Sequence, residues 1–470
     1  MKLFSLRPTT LKSKLYAIIF ASFVVRVVAF FLLPSKGSLI PPDENGYSVI
    51  SAAASTGKSV KDLLGGNELY LASRTLVLPA STLIRIGIEP VNAVRIVSSI
   101  YGMLSVYLVA FLILAITRKN ALPGNLKSQG DNLFLIPFGI FAFLPSHLFW
   151  SILGLREAAM EFWVIATFVL LFLIFEVKLR NKVSLFLSFP FCILLVFSSR
   201  PQVGWLLGIS LLFYLVFRIK ERPAQILMPI VFIGVLFGYT VTTAYSVEIT
   251  STLTATAYPP TSPKEIAIAS QLCKSLSQEV IVDEVKYVCV YEIVKKTVRG
   301  LKNPGKAIVD QTDAISYKHE VNKIDAASAI KTLECPNSGD SRFDNYFCLA
   351  YRAPYMTLTF LFRPIPGPDI TSTASLFAAG ENLLWLAMLL YIIIMFAKNR
   401  KLAFLGVQLP SLLFASLYCV AAGSYEGNMG TAFRHKSLIL WVVILLLAST
   451  IVATQQRKAE QEGISGSSQE

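Results

Sequence analysis

Two adjacent carboxylates stand shortly after the first long apolar stretch of the sequence. They are Asp43 and Glu44, in the segment PPDENGY at 41–47, and a run of small residues with helical character follows at 48–54. A carboxylate just before a helix can cap free backbone N–H groups, or it can act as a catalytic base. The sequence leaves both interpretations open, and we predict that Asp43 and Glu44 are catalytic.

A second group that could do chemistry is basic and stands at the start of the last apolar stretch. Arg434, His435 and Lys436 are consecutive there, and such a group can bind phosphate or anchor a helix end at the lipid headgroups. Taken singly, other charged residues that border apolar stretches are typical of structural ion pairs or anchors. They include Arg156, Glu157, Arg200, Arg363 and Glu381.

The composition decides what kind of chain carries these residues. Of 470 residues, 54% are hydrophobic and only 15% are charged, against roughly a quarter in ordinary soluble domains. This balance excludes a soluble globular enzyme, and it excludes a disordered chain because disorder needs low hydrophobicity. The sequence therefore predicts a polytopic membrane protein in the lipid bilayer, with no nucleic-acid partner.

Ten stretches have the length and composition of membrane-spanning helices, which need about 20 mostly apolar residues. They cover 15–33, 96–116, 133–151, 158–177, 183–199, 203–217, 225–245, 381–397, 403–422 and 437–454. With these ten spans, six clusters of Lys and Arg, within 2–14, 118–127, 178–182, 218–222, 398–401 and 457–458, fall on the side of the N-terminus, which marks that side as cytoplasmic. We predict a multi-pass protein of the plasma (inner) membrane, with both termini in the cytoplasm and the active site extracytoplasmic.

The apolar stretch 71–88 would invert this pattern if it crossed the membrane. It contains Arg74, Pro79 and Arg85, and we predict an interfacial helix on the outer face, with a re-entrant segment as the rival. The predicted fold class is all-α: a polytopic membrane protein with about ten transmembrane helices. An outer first loop, 34–95, carries interfacial helices, and a large extracytoplasmic loop is helical.

The predicted organisation has four parts along the chain. Residues 1–245 form an N-terminal transmembrane module, 246–380 an extracytoplasmic loop domain, 381–454 the C-terminal transmembrane helices, and 455–470 a disordered cytoplasmic tail. Within the loop domain, helical apolar spacing covers 264–298 and 306–334. An apolar run at 355–362 is predicted to be a second interfacial segment.

Four cysteines lie in the predicted outer loop domain. They are Cys273, Cys289, Cys335 and Cys348, and an even number on the oxidising side indicates two disulfides. Three pairings are open; we favour Cys273–Cys289 and Cys335–Cys348 because they close short loops. A zinc site is the alternative.

The predicted orientation places the basic group 434–436 on the outer side, where basic clusters are disfavoured. An anionic ligand would explain it, and here the sequence resembles the C-type (GT-C) membrane glycosyltransferases. The motif DExxY at 43–47 follows the first span, an interfacial helix follows it, and 76–115 is similar to the protein-mannosyltransferase-like branch, which uses polyprenyl-phosphate sugars. Residues 434–436 resemble that branch's basic entry to a late span. The resemblance covers about 1–220 and 420–450.

The resemblance implies a polyprenyl-phosphate-linked sugar donor, a glycan, lipid or protein acceptor, and inversion at the sugar carbon C1. Asp43 would be the general base, with Glu44 as its partner. The implied phosphate ligands are Arg434, His435 and Lys436, with Arg363 and Arg200 in reserve. The predicted substrate contacts are Tyr47, Arg156, Glu157 and Glu426. The scheme requires no cofactor, and a divalent metal at Asp43 and Glu44 stays an open alternative.

A second resemblance points to a different donor. The segments LREA at 155–158, SRP at 199–201 and FRPIP at 362–366 are similar to stretches of bacterial envelope-polysaccharide membrane proteins, including O-antigen polymerases. The alternative function is therefore a polymerase or ligase acting on lipid-diphosphate glycans, with the arginines more critical than Asp43. A flippase would show internal repeats and charges near span centres, and a non-catalytic scaffold would leave the outer basic group unexplained.

Overall fold

The computed structural model divides the chain into two compact units, each described by itself. The first comprises 1–233, 376–418 and 433–470, and the second comprises 234–375 and 419–432. Within them the structure describes residues 10–33, 42–57, 74–119, 126–177, 183–218, 234, 251–256, 263–273, 278–282, 284–293, 342–367, 369–370, 373–399, 408–425 and 429–461.

Helices make up most of the described chain. The first unit begins with α1 (Thr10–Leu32), α2 (Pro42–Ser55), α3 (Arg74–Arg85), α4 (Pro90–Lys119), α5 (Leu126–Phe143), α6 (Pro145–Ile152), α7 (Arg156–Phe175), α8 (Val183–Ser199) and α9 (Pro201–Arg218). The second unit contains β1 (Ser251–Thr256), α10 (Pro263–Leu272), β2 (Glu279–Val282), β3 (Val285–Ile293) and α11 (Arg342–Phe362). The C-terminal helices are α12 (Thr373–Asn399), α13 (Gln408–Tyr425) and α14 (Met429–Gln461).

Five described helices are long and apolar enough to cross a membrane, as expected for a multi-pass membrane protein. The qualifying segments are Leu11–Leu32, Pro90–Arg118, Arg156–Phe175, Ser375–Lys398 and Gly430–Lys458. Helices α5 and α6, which meet at an angle of 42°, make a sixth if the bent pair counts as one span. The predicted number of ten spans is not confirmed. Three of the predicted spans coincide with apolar helices of 10–17 residues, in α8, α9 and α13, which are shorter than the five above. The predicted span 225–245 lies outside the described residues except for position 234.

Helices α2 and α3 pack against the beginning of α4. Helix α2 contributes Tyr47 and Ile50, and α3 contributes Leu76 and Val77, to a buried apolar core shared with α4 and with the turn before α7. Because α3 has only 12 residues, it is too short to cross a bilayer. This packing fixes α2, and therefore Asp43 and Glu44 in its first turn, against the helical bundle.

The predicted helical spacing over 264–298 is wrong at 279–282 and 285–293, which are strands. Among the described residues of this stretch α10 is helical, whereas β2 and β3 form a three-stranded antiparallel sheet with β1, in the order β1-β3-β2. The consecutive β-branched residues Val280, Ile281 and Val282 fit a pleated strand better than a helix. Glu284, with a φ of 66°, makes the tight turn into β3. Of the predicted stretch 306–334, no residue lies in the described part of the chain.

The cysteines fall into two chemical classes. Cys192 and Cys419 are free and buried. Cys273 and Cys348 are disulfide-bonded. Which cysteine each one binds stays a prediction, because the side chains of Cys289 and Cys335 lie outside those that the structure describes.

Helices α11 and α13 approach each other closely at a glycine. A Cβ atom added at Gly423 would lie 2.8 Å from the backbone oxygen of Met356 and 2.9 Å from its carbonyl carbon. Since backbone atoms cannot move aside as a side chain can, Gly423→Ala is expected to lower the free energy of unfolding by about 1–3 kcal/mol. Chemical unfolding in mixed micelles measures this change.

The matched control is Gly380→Ala in α12, where an added Cβ meets nothing within 4 Å. That substitution replaces a helical glycine by a better helix former, so it is expected to leave stability unchanged or slightly raised. Equal destabilisation by both alanines would show that the close approach at Gly423 is not what limits the packing.

Candidate functional site

Four helix ends bring five of the predicted site residues into one group, which we call the acid–base cluster. Asp43 lies in the first turn of α2 and Glu157 in the first turn of α7. Arg434 and His435 come from the start of α14, and Arg200 stands between α8 and α9. The sequence separation is large, 391 residues for the contact between Arg434 and Asp43, so the tertiary fold alone makes this group.

The outermost contact of the cluster is an ion pair between a carboxylate and a guanidinium. Arg434 Nη1 donates to Asp43 Oδ2 over 2.7 Å. The Asp43 side chain is 46% exposed and that of Arg434 is 17% exposed. Among the described contacts, Asp43 Oδ1 and Arg434 Nη2 take part in no hydrogen bond. A carboxylate oxygen and a guanidinium N–H of this ion pair therefore have no hydrogen-bond partner among the described contacts.

Beneath this pair lies a carboxylate that water does not reach. The Glu157 side chain is 4% exposed, with Oε1 3.2 Å from Arg434 Nε and 3.5 Å from His435 Nε2. Neither Glu157 oxygen has a well-directed hydrogen-bond partner among the described residues. A buried carboxylate needs a compensating cation, so Glu157 holds the Arg434 guanidinium at the cluster.

His435 connects the ion pairs to a second arginine. Arg200 Nη1 lies 2.6 Å from His435 Nε2, the same nitrogen that faces Glu157. That nitrogen can accept a hydrogen bond from Arg200 or donate one to Glu157, but it cannot do both. The backbone oxygen of His435 accepts a hydrogen bond of 3.3 Å from Tyr418 Oη, which fixes the start of α14.

The cluster carries more positive than negative charge. Arg156, which is buried at the start of α7, adds a third guanidinium to the electrostatic environment of Glu157. Arg434, Arg200 and Arg156 thus contribute three guanidinium groups to this part of the structure, against the two carboxylates of Asp43 and Glu157. Because an excess of positive charge raises the local concentration of anions, this balance favours an anionic ligand.

Glu44, the neighbour of Asp43, has an entirely different environment. Its carboxylate is fully buried and accepts from Arg95 Nε over 2.7 Å and from Arg95 Nη2 over 3.0 Å. The backbone N–H of Gly154 donates a third hydrogen bond of 2.8 Å. The predicted catalytic role of Glu44 has no support in this geometry, because its oxygens are committed to tying α2 to α4 and to the turn before α7.

Lys436, a predicted phosphate ligand, has different surroundings from Arg434. Its side chain is buried and donates to Asn382 Oδ1 of α12. The ammonium lies 4.8 Å from the ring centroid of Phe433 and 5.9 Å from that of Trp385. Lys436 therefore fastens α14 to α12 and faces other partners than Arg434 does.

The remaining predicted residues are dispersed. Tyr47 is buried in the apolar core that α2 shares with α3 and α4, and it is close enough to Arg434 to interact with it electrostatically. Arg363 belongs to the second unit, where its Nε donates to Asp369 Oδ2 over 2.8 Å. This hydrogen bond from Arg363 holds the pKa of Asp369 below the ordinary carboxyl range. Glu426 lies outside the described residues.

One polar group inside the bundle was missed by the sequence reasoning. Nη2 of Arg26, in α1, lies 3.3 Å from His147 Nδ1, and His147 Nε2 lies 3.4 Å from Glu161 Oε1. Arg26 Nε also donates to Ser151 Oγ over 3.0 Å. The available signal was Glu161 itself, which stands one helical turn after Glu157 in an otherwise apolar helix.

The described residues contain no group of three or more His, Cys, Asp or Glu side chains arranged to hold a metal ion. Comparisons with protein-family models, with curated proteins and with solved structures found no match.

Proposed function

We propose that this chain is a membrane glycosyltransferase that moves a sugar from a polyprenyl-phosphate donor to an acceptor hydroxyl. The observation that carries the proposal is the exposed Asp43 carboxylate beside the Arg434 guanidinium, at a distance of 2.7 Å. The resemblance to the GT-C enzymes, with Asp43 as base and Arg434 as phosphate ligand, agrees with that arrangement. The two groups have the opposite charges that a base and a phosphate site require.

The proposed reaction is a single displacement at the sugar carbon C1. The acceptor oxygen forms the new bond to C1 while its proton passes to Asp43. The bond between C1 and the phosphate oxygen breaks, and the polyprenyl phosphate leaves with the electron pair. Arg434 stabilises the charge that develops on that phosphate, and binding of the phosphate frees Asp43 from its ion pair. The configuration at C1 inverts.

The surroundings of the pair support the proposed donor class. A phosphate linked to a polyprenyl chain keeps its tail in lipid, and the cluster is built at the ends of apolar helices such as α7 and α14. The guanidinium surplus suits one phosphate group, with Arg434 as its direct ligand and Glu157 as the buried anchor of that arginine. For the acceptor, we propose only that it is a hydroxyl compound, which a glycan, a lipid or a protein can supply.

The second candidate is a polymerase or ligase that uses lipid-diphosphate glycans. The observation that favours it is the position of Arg200 in the same cluster, 2.6 Å from His435, because a diphosphate needs more positive charge than a monophosphate. In this candidate the arginines dominate and Asp43 contributes less.

The decisive experiment compares transfer by the wild type and by Asp43→Asn. Membranes containing each protein receive a panel of radiolabelled polyprenyl-phosphate hexoses and pentoses, and the label in acceptor products is counted. Loss of the base is expected to lower the transfer rate about 10²–10⁴-fold, with unchanged elution of the purified protein on a sizing column. The Asn side chain keeps the shape and removes only the charge and the basicity.

Two outcomes would contradict the proposal. Undiminished transfer by Asp43→Asn would reduce Asp43 to a helix cap. If the wild type transfers no sugar from the monophosphate panel but extends lipid-diphosphate oligosaccharides, and Arg200→Gln lowers that extension more than Asp43→Asn does, the second candidate replaces the first.

A further inference from the structure

Helix α11 of the second unit has two sharply different faces. Its buried residues are Asn345, Cys348, Arg352, Met356, Thr359 and Phe360. Its exposed residues, which we call the aromatic stripe, are Tyr346, Phe347, Ala350, Tyr351, Pro354, Tyr355 and Leu358. At 3.6 residues per turn, the exposed set occupies one half of the helix circumference and the buried set lies within the other half.

The aromatic stripe is apolar where a water-facing helix surface would be charged. Phe347 is 54% exposed, Tyr351 48% and Leu358 57%, and none of the seven residues carries a charge. Three of its four aromatic rings are tyrosines, which combine an apolar ring with a polar tip. Such residues are enriched at the boundary between lipid headgroups and acyl chains.

The same unit shows what lies beside this helix. Gly423 brings the end of α13 into contact with the α11 backbone at Met356, and Gln408–Gly423 is one of the apolar helices. The loop after α11 is closed by the ion pair between Arg363 and Asp369, and a candidate span begins 13 residues after Phe362, at Ser375. Among the described elements, the helix that follows α11 along the chain and the helix that contacts its backbone at Gly423 are therefore both apolar.

We propose that α11 lies in the bilayer interface, with the aromatic stripe inserted at the boundary between headgroups and acyl chains. An amphipathic helix in this position buries its apolar face about 5–10 Å deep. The stripe shares Tyr355 and Leu358 with the predicted interfacial run at 355–362 and extends it towards the N-terminus, whereas Thr359 and Phe360 are buried in the protein. The proposal needs only the membrane location of the chain and is independent of sugar transfer.

The test measures the depth of spin labels in the full-length protein in lipid vesicles. Single cysteines replace Phe347 and Tyr351 in a background in which the free Cys192 and Cys419 are changed to serine. Two positions calibrate the scale: Phe20→Cys on α1, 67% exposed within a candidate span, and Lys286→Cys on β3, 59% exposed beside Glu279. Collision rates with oxygen and with a water-soluble nickel complex give the depth of each label.

The expected ratio of oxygen to nickel collisions at both stripe positions is several-fold above that at Lys286→Cys and approaches that at Phe20→Cys. Because the stripe is uncharged, removing phosphatidylglycerol from phosphatidylcholine vesicles is expected to leave the ratio unchanged. Phe347→Trp is a second probe that keeps an aromatic ring, and bromine-labelled lipid is expected to quench its added fluorescence.

Three results would overturn the proposal. A nickel collision rate equal to that of Lys286→Cys would place the stripe in water. Low collision rates with both reagents at Phe347 and Tyr351 would mean that protein, such as a second copy of the chain, covers the stripe. A ratio that falls when phosphatidylglycerol is removed would mean that charge elsewhere holds the helix at the surface and that the stripe itself does not insert.

Discussion

Arg95→Met is expected to lower the free energy of unfolding by about 3–5 kcal/mol, the usual effect of removing one partner from a buried ion pair. The Arg95 and Glu44 side chains are 1% and 0% exposed, so the remaining carboxylate would have neither water nor a cation. The hydrogen bond from Arg95 Nη1 to the backbone oxygen of Leu33 is lost as well. Unfolding in mixed detergent micelles, followed by tryptophan fluorescence, measures the change.

Two comparisons isolate the buried charge as the cause. The double variant Glu44→Gln with Arg95→Met removes both charges and is expected to recover a large part of the lost stability. Lys286→Met breaks an ion pair whose partners are 59% and 58% exposed, and it is expected to change stability by less than about 1 kcal/mol. If Arg95→Met proves no more harmful than Lys286→Met, the ion pair does not hold α2 in place.

Arg26→Met is the second substitution with a large expected effect. Arg26 is 2% exposed, its Nη2 lies 3.3 Å from His147 Nδ1, and it interacts electrostatically with Glu161, the ion-pair partner of His147. Its removal leaves the Glu161 carboxylate uncompensated inside the helical bundle, and charges inside a bilayer are costly. We expect a loss of about 3–5 kcal/mol, together with weaker packing of α1 on α5 and α6.

A neutral partner substitution and a neighbouring residue on α1 serve as controls. Glu161→Gln combined with Arg26→Met is expected to be more stable than Arg26→Met alone. Val28→Met, at a position that is 52% exposed, is expected to be nearly neutral because it changes only the outer surface of α1. Should the double variant be less stable than the single one, Arg26 acts through its bonds to Ser22 and Ser151 and not through Glu161.

The adjacent carboxylates Asp43 and Glu44 are expected to respond differently to neutralisation, because their partners differ. Asp43→Asn is expected to lower the rate of sugar transfer with little effect on the free energy of unfolding, because Asp43 is half-exposed and has one ion-pair partner among the described residues. Glu44→Gln is expected to alter stability first, because Glu44 accepts three buried hydrogen bonds. Comparing the two substitutions separates catalysis from folding at adjacent positions.

The sequence by itself determined the class of protein and the position of most helices. Apolar stretches of membrane length coincide with α1, α4, α7, α12 and α14, because a chain in lipid must satisfy its backbone hydrogen bonds within each helix. The sequence also selected charged residues at helix ends that do meet: Asp43, Glu157, Arg200, Arg434 and His435. Charge next to an apolar stretch is costly unless it is paired, so the amino-acid order alone indicates where paired charges lie.

Other features were decided only by the tertiary structure. Asp43 and Glu44 have the same charge and are adjacent, yet the helical position of each turns one towards an open ion pair and the other towards Arg95. Local apolar spacing also could not distinguish β2 and β3 from a helix, since pairing between distant strands stabilises them. Which charges pair, and which face of α11 stays uncovered, depends on packing between segments far apart in the chain.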